Sequence, residues 1–122
     1  MSNNISDLTY FAGNKGLRWL HDMQPTERLF GTPVKAVLLK SGTGLLVVEP
    51  AGDDAPDTAV ILNADGTQRA KVKNPEARDG AICFGDAYYV DDELTLIICF
   101  SSWQMACVID EEGTVVRTYE TR

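Results

Sequence analysis

The chain has 122 residues, 44% of them apolar and 24% charged, and its 18 acids against 11 bases give a formal charge of −7. That length supports a single domain, 1–122, with a real core. The composition excludes a disordered chain, and no run approaches the ~18 consecutive apolar residues of a membrane span. The negative charge repels phosphate at long range and so disfavours direct nucleic-acid binding. The N-terminus, Met1 to Asp7, has neither the basic nor the apolar region of a secretory signal, which predicts a cytoplasmic protein.

Residues 1–31 read as an N-terminal hairpin or a short helix. Leu17, Trp19, Leu20 and Met23 suit either period, and the helix would make the fold α+β. A strand is preferred because Tyr10 to Leu17 repeats, weakly, a pattern seen twice downstream, with Gly16 lying 50 residues before Gly66. Residues 32–73 form a first four-stranded unit. Val34 to Leu39 turns at Ser41-Gly42-Thr43-Gly44 into Leu45 to Val48, then Val60-Ile61-Leu62 turns at Asn63 to Gly66 into a polar strand, Thr67 to Val72. Ala51 to Asp57 and Lys73 to Gly80 are loops by their Pro, Gly and Asp content.

Residues 80–122 repeat the unit. Gly80 to Phe84 and Ala87 to Val90 turn at Asp91-Asp92-Glu93 into Leu94 to Phe100, and Cys107-Val108-Ile109 turns at Asp110 to Gly113 into Thr114 to Tyr119. The two late hairpins stand 47 residues apart, each with a polar opener and a Gly-Thr close, the glycine supplying the positive φ. The fold class that follows is all-β: antiparallel four-stranded meanders repeated at about 47–50 residues, the length of a propeller blade. Leu45 to Val48 and Leu94 to Phe100 do not alternate apolar with polar, so both their faces should be covered, whereas Thr67 to Val72 and Thr114 to Tyr119 read as edges. A closed propeller needs about four blades. Packing as a small sandwich or half-barrel is therefore expected ahead of a ring of several copies.

Little in the sequence points to catalysis, and none is expected. The one histidine, His21, leaves triads and multi-histidine metal sites without their usual base or ligand. Cys83, Cys99 and Cys107 each sit in an apolar run and read as reduced, buried thiols. The carboxylates fall in turns, where solvent keeps them ordinary acids, and no calcium-loop or phosphate-loop spacing occurs. No cofactor and no metal are expected.

Charge is distributed unevenly. Residues 1–48 carry five bases against three acids, and residues 49–122 carry six against fifteen. In the acidic part Asp86, Asp91, Asp92 and Glu93 flank Tyr88 and Tyr89, with Trp103 nearby and Asp110, Glu111 and Glu112 in the next turn. Aromatic anchors beside steering carboxylates fit an interface for a basic protein partner. The expected contact residues are Asp86, Tyr88, Asp91, Asp92, Glu93, Trp103, Asp110, Glu111 and Glu112. In size, in its acidic half from Glu49 to Arg122 and in the segment Asp86 to Glu93, the chain resembles the small immunity proteins of bacterial contact-dependent and polymorphic toxin systems. The resemblance is one of type, without a shared motif. It implies a protein that is monomeric when free and neutralises a basic toxin domain, in many cases a nuclease. The competing expectation is a propeller-type scaffold or sensory ligand-binding domain.

Overall fold

Tight turns between short apolar runs bring neighbouring segments back on themselves, and the computed structural model shows the result as eleven antiparallel strands. It describes residues 5–31, 33–49, 58–72, 83–99 and 103–121. The loops read at 51–57 and 73–80 lie outside the described residues. Strands β1 (Ile5–Phe11), β2 (Gly16–His21) and β3 (Gln24–Leu29) form a first sheet. β4 (Lys35–Leu38), β5 (Gly44–Glu49), β6 (Thr58–Asn63) and β7 (Gln68–Val72) form a second, and β8 (Cys83–Val90), β9 (Glu93–Cys99), β10 (Gln104–Ile109) and β11 (Val115–Thr121) a third. Among the described residues there is no helix, and none therefore long and apolar enough to cross a membrane. The fold is thus all-β, built from sequential meanders.

The three sheets stack with the second in the middle. Leu46, Val48, Ala59, Ile61 and Val72 face the third sheet, packing on Ala87, Leu94, Leu96, Ile98, Cys107 and Ile109. Leu45, Val47, Val60 and Leu62 face the first, packing on Ile5, Leu17 and Trp19. This explains why Leu45 to Val48 lacks alternation: each residue has a layer to bury itself in, at roughly 1.5–3 kcal/mol per aliphatic side chain. Leu94 to Ile98 is likewise buried on both faces, with Thr95 and Ile97 no more than 4% exposed. β7 and β11 are edges of their sheets, as their polar sequences require.

Both late hairpins form as expected. Gly66 (φ +91°) donates its N–H to Asn63 O at 2.9 Å, and Gly113 (φ +83°) donates to Asp110 O at 3.1 Å. Each is followed by a one-residue register shift, the bulge that a left-handed glycine creates.

The N-terminal region differs from its sequence reading. It is neither helix nor lone hairpin, because a third strand, β3, completes a meander. Its polar residues and Pro25 hide it from a periodicity search, and an edge strand is where proline is tolerated. The expected third hairpin at Tyr10 to Leu17 does form, with Phe11 opposite Gly16, but the glycine at positive φ in its turn is Gly13 (φ +68°) and not the aligned Gly16. Gly16 opens β2 and lies against the Phe11 ring, where a Cβ would come within 2.5 Å of it. The turn equivalent to Asn63–Gly66 is instead Asp22–Met23, both at positive φ (50° and 67°), a two-residue turn of the type hairpins favour.

Candidate functional site

Antiparallel order places alternate turns at the same end of the stack. The β2–β3, β4–β5, β6–β7, β8–β9 and β10–β11 turns share one end, tied by Ile5 N–H to Gly42 O (3.0 Å) and Ala64 N–H to Thr43 O (3.0 Å). Asp91, Asp92 and Glu93 therefore meet Asp110, Glu111 and Glu112, although 16 or more residues separate the two runs. Between them lies a groove of about 310 Å³, walled by Lys40, Tyr89, Asp92, Glu93, Asp110 and Glu111 and floored by apolar residues including Leu94 and Ile109.

Most of these carboxylates also act within the fold. Asp92 pairs with Lys40. Glu93 accepts both Arg117 Nη1 (2.8 Å) and Nη2 (2.5 Å), and this pairing raises the guanidinium's pKa further. Glu111 accepts the Ser41 hydroxyl at 2.6 Å, and Asp110 Oδ1 accepts the Glu112 and Thr114 N–H groups, each at 2.9 Å. Among the described residues Asp91 and Glu112 make no side-chain ion pair, and both are exposed. Exposed pairs of this sort contribute only ~0–1 kcal/mol and exchange partners at little cost.

The aromatics divide. Tyr88 points outward, 41% exposed. Tyr89 points in toward the core, its hydroxyl accepting Lys40 N–H at 2.9 Å and its ring lying 5.3 Å from Lys40 Nζ. Burial pushes the Tyr89 phenol up, the Lys40 N–H opposes this, and Glu111 adds to the rise. The other expected contact residues are not at the groove. Asp86 lies further back along β8 and bonds Lys35 Nζ at 2.5 Å, which, more than its burial, sets its carboxyl below the usual range. Trp103 precedes β10, at the opposite end of the stack. The nine residues thus fall into one turn-end cluster of six and three scattered positions. Of the cysteines, Cys107 is buried, Cys99 is half-buried, and the Cys83 side chain lies outside the described residues.

A second concavity escaped the sequence reading. It opens between the first and second sheets at the same end, about 210 Å³, lined by His21, Thr43, Asn63, Ala64, Asp65 and Arg69. Arg69 donates Nε to Asn63 Oδ1 (2.6 Å), Nη2 to Thr43 O (3.0 Å) and Oγ1 (3.1 Å), and Nη1 to Glu111 O (3.2 Å). Asp65 Oδ1 accepts the Thr67 hydroxyl (2.6 Å) and N–H (3.0 Å), which hold its carboxyl below the usual range. No motif marks these residues: a lone histidine and an arginine on a polar edge strand come together only through the stacking. Among the described residues no three His, Cys, Asp or Glu side chains converge as metal ligands.

Comparison with known proteins adds no relative: no protein-family model, no curated protein and no solved structure matches the chain.

Proposed function

We propose that this is a non-catalytic protein-binding domain whose acidic turn end receives a basic protein partner, in the manner of a cytoplasmic immunity protein covering a toxin domain. The observation that carries this reading is the meeting of two acidic turns at one groove with an apolar floor, lined by Asp92, Glu93, Asp110 and Glu111, with Asp91 and Glu112 exposed next to them in the same turns. Carboxylates at the rim steer a cationic surface, and the floor supplies apolar contact once water leaves. Asp91 and Glu112 meet the partner first, and Asp92 exchanges Lys40 for an incoming cation. Tyr88 extends the contact over the adjoining sheet face.

The test uses the product of the neighbouring reading frame as candidate partner. Association should slow as salt rises beyond ~0.15 M, where the Debye length is about 8 Å, while dissociation changes less. Joint reversal of Asp91, Asp92 and Glu112 to Lys should weaken binding at least tenfold with the fold intact. Glu93 is left alone because its bond to Arg117 belongs to the sheet. Wild-type affinity in the triple variant removes the basis for the reading.

A propeller-type scaffold is the second reading, favoured by the stacking of three sequential meanders. Size-exclusion chromatography separates the two: the first predicts a monomer when free, the second a closed ring of copies.

A further inference from the structure

We propose that Cys83 and Cys99 are a reversible redox pair, joined as a disulfide across β8 and β9 when the protein meets a low-molecular-weight disulfide of the glutathione class. The pair lies away from the acidic groove and does not depend on the reading given to that groove.

The pairing of β8 with β9 sets Cys83 directly opposite Cys99. Directly opposed residues of antiparallel strands have Cα atoms about 4.5–5.5 Å apart and Cβ atoms at a similar spacing. The Cα spacing falls inside the roughly 4.4–6.8 Å that a disulfide spans, and the Cβ spacing has to close only a little to reach the usual ~3.8 Å. The backbone has room for that adjustment. The register of β8 against β9 shifts between Phe84 and Asp86, beside the pair, and the pair itself is the last rung of the ladder, where β8 begins and β9 ends. A bulge next to a strand end lets the chain bend locally.

The third cysteine is placed differently. Cys107 is fully buried and stands opposite Leu96 on one side and Thr118 on the other. Cys99 is half-buried, within reach of a dissolved reagent, and its Sγ accepts Gln104 Nε2 at 3.9 Å, which holds the sulfur in place. The exchange then runs in two steps. The Cys99 thiolate attacks one sulfur of the reagent, the reagent's S–S bond breaks, and one half leaves as a thiolate. The Cys83 thiolate attacks the Cys99 sulfur of the mixed disulfide and expels the other half. Two protein thiols are oxidised, one reagent disulfide is reduced to two thiols, and these take up the two protons that the cysteines release. An excess of reducing thiol runs the same steps backwards. With the bond formed, the hairpin that carries Asp91 and Asp92 in its turn is closed at both ends.

The native protein, freed of reductant, is incubated with oxidised glutathione at about pH 8, where thiols are partly ionised. The proposal expects the intact mass to fall by two hydrogens and the free thiols to drop from three to one. Digestion should yield one peptide pair joined through Cys83 and Cys99, and dithiothreitol should restore the starting mass. Cys83→Ser should stop at a single glutathione on Cys99. Should that variant fail to fold, the parent's peptide map alone decides. A parent that keeps three thiols, carries glutathione without an internal bond, links through Cys107 or joins two chains overturns the proposal, as does an internal bond in Cys83→Ser.

Discussion

The turns at Asn63–Thr67 and Asp110–Thr114 share a backbone and differ in surroundings. In both, a Gly in the left-handed region closes the turn and a threonine N–H bonds an aspartate carboxylate. The first lies under another layer. Ala64 is buried, its carbonyl accepts Trp19 Nε1 at 2.7 Å, and Gly66 O accepts Arg28 Nη1 at 2.6 Å. The second also lies against a neighbouring sheet, its Glu111 carbonyl accepting Arg69 Nη1 at 3.2 Å and its Gly113 standing beside Ala70 and Val72, but its tip is Glu111 and Glu112, which stay open at the acidic end. One local sequence pattern thus makes a buried docking point in one place and a charged rim in the other, and the tip residues, Ala64 in the first against Glu111 and Glu112 in the second, make the difference.

Removing the cover should hurt most. Trp19→Ala deletes the largest fully buried side chain and leaves the Ala64 carbonyl without its donor, so a loss of about 3–5 kcal/mol is expected by chemical denaturation. A loss under about 1 kcal/mol would mean that the first turn is not held by the layer above it.

The shared backbone is tested next. Gly66→Val and Gly113→Val should each cost about 1–3 kcal/mol, because a β-branched residue at positive φ is strained. Each new Cβ also meets a neighbour, Thr26 Cγ2 at 3.2 Å in one case and Ala70 Cβ at 3.1 Å in the other. A cost at only one position would break the equivalence of the two turns.

Smaller effects come from the carboxylates. Asp65→Ala and Asp110→Ala should each lose about 1 kcal/mol near pH 7 through the side-chain bonds to backbone. For Asp65 the Thr67 hydroxyl and N–H lower the folded-state pKa, so its contribution is present above the unfolded value and is lost as pH falls through the folded one. The gap between Asp65→Ala and the parent should therefore be steady from pH 7 to 5 and shrink below about pH 4. Urea midpoints across that range measure it. A gap that grew in acid would reverse the sign of the argument. Smallest of all, Glu112→Ala should stay within about 0.5 kcal/mol of the parent, as an exposed side chain with no ion pair among the described residues.

Hairpins and layers differ in how far the sequence shows them. Asn63 to Gly66 and Asp110 to Gly113 carry their geometry in four residues each, and the unbroken apolar runs at Leu45 and Leu94 announce covered faces. β3 is not legible, because an edge strand with a proline and four polar or charged residues looks like a loop. Gly16 misleads: its spacing from Gly66 mimics a turn, while its reason is the Phe11 ring. The acidic runs at Asp91 and Asp110 are visible, but their meeting depends on strand direction, which no single run encodes. His21 and Arg69 lie 48 positions apart, on different sheets, and only the stacking brings them to one cavity.

Because each sheet is one continuous stretch of chain and the described cores join the first sheet to the second and the second to the third, the described layers form a short one-dimensional array with two seams. The middle stretch, Lys35 to Val72, cannot stand alone, since both its faces need cover. A translating ribosome that has released only the first two layers exposes the face of Leu46, Val48, Ala59 and Ile61 until the third arrives. In the cell, it is the emergence of β8 to β11 that ends this exposure.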